Sequence, residues 1–308
     1  MDIAIAILSI YMFILIGFVA KKTLKEEMNE KGLILLSIYF LQPMLSFWGL
    51  STKPLSLDLL QTPLLYVSIS LGSVLISAIV AHLFFTDQKE KSIVTISVII
   101  GNTGNLGIPL GIALFGEESI IYTSMINVAN VFIVYTLGVF YYSRGNFSIT
   151  ESLLNIVKLP VIWFAALALL LNISHITLHP AIFKSLEMGA YCTMVIQLII
   201  FGMYLCNVTL KSINKKLLLH VSLLKFILTP IAAAFILFVW LPIPYIAATL
   251  VFLELIVPLA VTNVNLSALY DCKPLDVTAL IFFTSLLFIP FFIIISYILN
   301  HLHQGGLL

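Results

Sequence analysis

Residues Gly101–Gly116 read GNTGNLGIPLGIALFG and lie inside an apolar run long enough to cross a bilayer. They include five glycines, two asparagines, a threonine and a proline. Backbone in hydrocarbon has no water to bond, so a lipid-facing helix cannot carry such a cluster of helix breakers with its peptide groups satisfied. Irregular backbone is tolerated at that depth only where it is buried in protein or lines a polar cavity. Discontinuous helices of this kind mark binding sites in secondary transporters. The rest of the chain is therefore expected to enclose this stretch.

Its surroundings agree with a polytopic, all-α membrane protein. Of 308 residues, 61% are hydrophobic and 9% charged, with mean hydropathy +1.14. A soluble domain carries about 25% charged residues. Arg144 is the single arginine, so nucleic-acid binding has no electrostatic footprint. Cys192, Cys206 and Cys272 form no CxxC pair, and no structural disulfide is expected. His301 and His303 read as part of a solvated tail and His175 and His179 as surface residues. No metal site and no cofactor are expected.

A span needs about 20 apolar residues, and ten candidates fit: 3–20, 32–50, 63–85, 92–115, 119–141, 158–173, 188–206, 217–240, 245–269 and 276–299. Loops after the odd-numbered spans carry twelve of the fifteen Lys and Arg residues, against two (Lys53 and Lys184) in the other loops. This positive-inside bias places both termini outside. Asp2 precedes the first apolar run and Lys21 and Lys22 follow it. That order fits a first span and not a signal peptide, whose basic residues come first.

Ten spans divide into two five-helix repeats, 1–141 and 158–308, joined by a short cytoplasmic linker at 142–157. An odd number of spans per half makes the second half inverted. Pro109 interrupts span four and Pro258 interrupts span nine, each the fourth of its half. Matched interruptions are the best sequence pointer to a transporter site. A break at Gly104–Gly107 would start a half-helix near Pro109, since proline suits a first helical turn. The free N–H groups of that turn, with the helix dipole, suit an anion.

Asn102, Thr103 and Asn105 add side chains that can donate to a carboxylate. Asn127 and Asn130 share a face of span five with Thr123. Thr262 and Asn263 lie just beyond Pro258, and Ser46 follows a kink at Gln42–Pro43. Gly107 and Gly111 could instead serve close helix packing. An acid inside a span is a functional hypothesis by default, which makes Glu254 a candidate proton carrier, unless it lies near the membrane surface. Lys225 is expected to snorkel toward the cytoplasmic face, with neutralising an anion or pairing with Glu254 as the alternatives. No paired aspartates, HExxH motif or Ser–His pair lies in the spans, so an enzyme is not expected.

At Asn102–Leu110, NTGNLGIPL, the sequence resembles the auxin efflux carrier family, which includes bacterial malate/malonate-type permeases and PIN-like transporters. Tyr39–Phe47, Asn130–Leu137, Pro258–Tyr270 and Leu275–Pro290 are similar too. The resemblance implies that broken helices four and nine cross at mid-membrane. It also implies an elevator-like exchange between a scaffold (spans 1, 2, 6 and 7) and a transport domain (spans 3–5 and 8–10), in a homodimer. By the same resemblance Asn102 matches the crossover asparagine that holds the substrate carboxylate. Pro109 and Pro258 match the crossover prolines, and Asn130 a polar amide position on span five. Span three lacks the acidic residue of plant members, and the linker is far shorter than theirs. The closer match is a bacterial organic-anion permease in the cytoplasmic membrane. Its expected partners are lipid, a small organic anion and a coupling ion, proton ahead of sodium. A sodium-coupled symporter with the bile-acid-symporter-like fold and a non-transporting membrane sensor are the alternatives.

Overall fold

A computed structural model of the chain describes the backbone of residues 2–51, 60–208 and 213–304, with side chains described except at 2–11, 26, 105, 117, 296 and 299–304. The described residues form thirteen helices in order: α1 (Asp2–Leu24), α2 (Glu30–Ser51), α3 (Gln61–Phe84), α4 (Gln88–Ile96), α5 (Ile108–Phe115), α6 (Ser119–Arg144), α7 (Ile149–Lys158), α8 (Pro160–Ile173), α9 (Pro180–Asn207), α10 (Lys215–Trp240), α11 (Tyr245–Ile256), α12 (Thr262–Leu269) and α13 (Pro274–Gln304). Among the described residues there is no strand, only an isolated bridge between Gly101 and Leu259. Among the described residues, six helices are long and apolar enough to cross a membrane, and a seventh if the bent pair α7–α8 is one span. Their outward faces carry large apolar side chains such as Leu75, Leu83, Val239 and Tyr297, each more than two-thirds exposed, as lipid contact requires.

Helix pairing is set by small residues as well as by apolar stripes. A side chain at Gly17 of α1 would run into the Ile199 carbonyl of α9, and one at Gly202 of α9 into the Ile14 carbonyl of α1. The reciprocal contact brings the two backbones together, the close approach that small residues permit in lipid. α2 packs along α8, and α3, α4, α6, α10, α11 and α13 pack among themselves as a second group. Gln42 and Gln197 tie α2 to α9 through a buried 2.7 Å amide–amide bond.

Two connecting segments are more ordered than their sequence suggests. The 142–157 linker contains α7, whose Ser148 and Glu151 form a reciprocal capping box, two orphan N–H groups satisfied at once. Ile149, Leu153, Leu154 and Val157 make its outer, exposed stripe, and the chain bends by 55° into α8 at Leu159, the residue before Pro160. The 174–187 segment is mostly the start of α9, with Pro180 in its first turn.

Charged residues collect at one end of the bundle. Lys273 bonds Asp87 (2.6 Å) and Glu90 (2.7 Å), Lys89 bonds Asp271 (3.0 Å), and Asn214 donates to Glu90 (2.9 Å). This network joins the segments preceding α4, α10 and α13. The Lys273 ammonium beside Asp87 holds its carboxyl below the usual carboxylate range. Burial pushes the Cys272 thiol, tucked behind Lys89, up to about 12.

Candidate functional site

The two breaks meet. α4 stops at Ile96 and the chain unwinds through 97–102. α11 stops at Ile256, where Val257 turns extended (φ −51°, ψ 147°), because a residue before proline is pushed out of the helical region. The unwound stretches cross antiparallel. The Asn102 N–H donates to the Pro258 carbonyl and the Ala260 N–H to the Ile100 carbonyl, both at 2.9 Å. Each break thus satisfies peptide groups that the other leaves open, which is the condition for unwound backbone away from water. Asn263 donates to the Ile100 (3.0 Å) and Ala260 (2.9 Å) carbonyls and accepts from Tyr142 (2.8 Å). It stitches the crossing instead of facing a cavity.

The break lies upstream of where the glycines suggest. Gly104 and Gly107 belong to a wide π-helical turn, Thr103–Gly107, that runs straight into α5. Pro109 lies within the first two positions of α5. Its ring nitrogen cannot donate one turn back, and the widened turn is where that missing bond falls. The half-helix therefore starts at Thr103, with the Asn102 carbonyl accepting from Leu106 and Gly107 (both 3.1 Å). The N–H groups of residues 103–105 have no helical acceptor.

A cavity of about 360 Å³ opens at that end, between α2 and α9 on one side and the crossing and α6 on the other. Ser46, Asn102, Thr103, Asn127, Asn130 and Thr262 line it, together with Gln42, Trp48, Tyr135 and Gln197. Both second half-helices, one from Thr103 and one from Thr262, present their N-terminal ends to it. A helix N-terminus carries roughly half a positive charge. Among the described residues, no charged side chain lines the cavity. Ser46 Oγ, Trp48 Nε1 and Tyr135 OH are buried without a partner among the described residues, and a buried donor in that state points to a ligand or water. The Asn102 side chain makes no capping bond.

A relay of amides and hydroxyls shapes the wall. Tyr66 donates to Asn130 Oδ1 (3.1 Å), Asn130 Nδ2 to Thr103 Oγ1 (2.9 Å) and to the Gly101 carbonyl (3.2 Å), and Thr103 Oγ1 to Asn127 Oδ1 (2.7 Å). Asn130 is fully occupied and acts as a brace. Asn127 uses its Oδ1 in this relay. Thr123 bonds the Ser119 carbonyl (3.0 Å) within its own helix. The Asn105 side chain lies outside the described residues.

Behind the crossing the first half-helices end. Lys225, only 1% exposed, does not snorkel. Its Nζ donates to the Val98 and Leu255 carbonyls, both at 2.9 Å. Glu254 is also fully buried, not surface-placed, and lines neither this cavity nor the apolar one beneath Asn102. Its carboxyl occupies the space that Gly107 leaves, since a side chain there would overlap it. Neither carboxyl oxygen has a partner among the described residues.

Reading the sequence overlooked Gln42, Trp48, Tyr135 and Gln197. Gln197 was open to discovery, as an amide within an apolar span is itself a signal. The aromatic donors gave none.

The comparisons with known proteins fit this geometry. The model of a family described as "Membrane transport protein" matches residues 2–296. The chain belongs to that family. An uncharacterised transporter of Methanocaldococcus jannaschii is 27% identical over 296 residues, covering 92% of this chain and 94% of that protein. The protein is thus a multi-pass membrane transporter of the auxin efflux carrier type, and not an enzyme.

Proposed function

We propose that this transporter carries a small organic anion across the cytoplasmic membrane, gripping it by a carboxylate at the N-terminal ends of the two second half-helices. The observation that carries this reading is their convergence, with the Asn102 side chain that makes no capping bond, on one cavity. Asn102, the N–H groups of residues 103–105 and Asn127 bind the carboxylate, and Ser46, Thr103, Thr262, Trp48 and Tyr135 serve the rest of the substrate. With no cationic side chain among the described lining residues, a second carboxylate would be unserved by them, which favours monocarboxylates over malate- or malonate-like dicarboxylates.

Ten spans in two inverted repeats form the frame, with α4–α5 and α11–α12 as the broken fourth and ninth. Pairing supports this. α1 with α9 is span one with span seven, and exchanging the halves turns that pair into spans six and two, which is α8 with α2. Spans 1, 2, 6 and 7 are the scaffold, spans 3–5 and 8–10 slide past it as an elevator, and both termini lie outside. The working unit is a homodimer. Glu254 takes up the coupling proton, because a buried carboxyl without a donor is far easier to hold neutral than charged.

The test is a thermal-shift screen of the purified protein against mono- and dicarboxylates at two pH values. A ligand confined to the folded state stabilises by about 2.7 kcal/mol at a hundred times its Kd. Stabilisation by monocarboxylates supports the reading, and stabilisation by amines or sugars alone contradicts it.

A further inference from the structure

The crossing sorts helix ends by sign. The N-terminal ends of the second half-helices face the cavity, and the C-terminal ends of the first half-helices face each other behind it. Each C-terminal end carries about half a negative charge on carbonyls with no helical donor. Two such ends in a buried place repel. In carriers with broken helices, unwound carbonyls and half-helix C-terminal ends are where a coupling sodium ion is held. Here that position contains a side chain. Lys225 Nζ bonds the Val98 carbonyl just beyond α4 and the Leu255 carbonyl in the last turn of α11.

We propose that the Lys225 ammonium is a built-in, covalently tethered replacement for a mobile cation at the helix crossing, and that it makes this transporter independent of sodium. Three observations support the assignment. The ammonium is buried and bonded to both half-helices at once, so it neutralises both ends. A π turn in α10, Leu224–Leu228, surrounds Lys225, and such local widening of a helix frequently accompanies functional sites. The two carbonyls come from opposite half-helices, so removing the ammonium would leave both without a cation between them. That set of hard oxygen donors suits a small monovalent ion.

The experiment replaces the tether and offers free cations. Wild-type protein, Lys225→Ala and Lys225→Met are purified, and their thermal stability is measured in choline, sodium, potassium and methylammonium chloride at equal ionic strength. Substrate uptake into proteoliposomes is followed in the same salts. Wild type should be indifferent to the cation in both assays. Lys225→Ala should lose at least tenfold in uptake in choline and recover part of it in sodium or methylammonium, with a matching rise in melting temperature. Lys225→Met, which fills the space without charge, should lose uptake and not recover.

A wild type that requires sodium, or that sodium specifically stabilises, would overturn the proposal, and this arm needs no variant to fold. So would a Lys225→Ala protein that transports normally in choline or binds no cation better than wild type does. If Lys225→Ala yields no folded protein in choline, expression and purification in methylammonium must restore it, and failure there counts against the proposal. The thermal arm reads the cation site without any substrate. Rejection of the organic-anion reading would therefore leave this result standing, and the reverse also holds.

Discussion

Gly107→Ala tests the one place where a missing side chain makes room for a buried acid. An alanine Cβ at this position would overlap the Glu254 carboxyl, which is itself walled in with no exposed surface. Overpacking of a filled interior costs about 1–3 kcal/mol. Alanine's helical preference over glycine offsets up to about 1 kcal/mol of that. The single variant should therefore be less stable than wild type by up to about 2 kcal/mol. In a Glu254→Ala background the obstacle is gone and only the helical preference remains, so Gly107→Ala should be neutral or slightly stabilising. The difference between the two backgrounds, about 1–3 kcal/mol, is a coupling energy. Independent sites add to within about 0.5 kcal/mol. The four proteins can be compared by denaturant or thermal unfolding in detergent, monitored by size-exclusion profile. Equal effects of Gly107→Ala in both backgrounds would show that the glycine serves something other than the carboxyl.

Asn130→Ala removes three buried hydrogen bonds, each worth about 1 kcal/mol. It should destabilise by about 2–4 kcal/mol and weaken substrate affinity through Thr103, and a stability loss under 1 kcal/mol would remove Asn130 from the brace. Glu254→Gln should flatten the pH dependence of proteoliposome uptake while leaving expression intact, whereas a retained pH profile would assign Glu254 to structure. Asp87, held low by Lys273, adds stability above the ordinary carboxylate value of about 3.9 that is lost as pH falls through its lower folded value. Lys273→Met should reduce that acid-side loss, worth at most about 1 kcal/mol at so exposed a site, and unchanged acid melting would contradict the pairing.

Much of the organisation was legible because it follows from what lipid forbids. Breakers inside an apolar run must be covered, and the unwound stretches that precede Pro109 and contain Pro258 cover each other. Ser46, Asn102, Thr103, Asn127, Asn130 and Thr262 were singled out as polar groups without a reason to be in hydrocarbon, and they line one cavity. What escaped depends on pairing across long stretches of chain. Gln42 and Gln197 are 155 residues apart, and neither has a meaning without the other. Lys225 reads as a snorkelling residue by its distance from the end of its span. Only the fold brings the Val98 and Leu255 carbonyls to it. Asn263 looked like a ligand because nothing along the chain shows that Ile100 and Tyr142 use all of its amide. The linker helix α7 was visible in principle, since Ser148 and Glu151 have capping-box spacing ahead of an apolar stripe.

The central claim is that a carboxylate is held where two half-helix N-termini meet, with Asn102 as its side-chain donor. Isothermal titration of the purified protein and of Asn102→Ala, with a monocarboxylate that stabilises wild type, tests it most directly. Loss of one charge-assisted hydrogen bond, about 1.5–3 kcal/mol, predicts affinity weaker by roughly 10- to 150-fold, with an unchanged melting temperature in the absence of ligand. Wild-type affinity in Asn102→Ala would contradict the account.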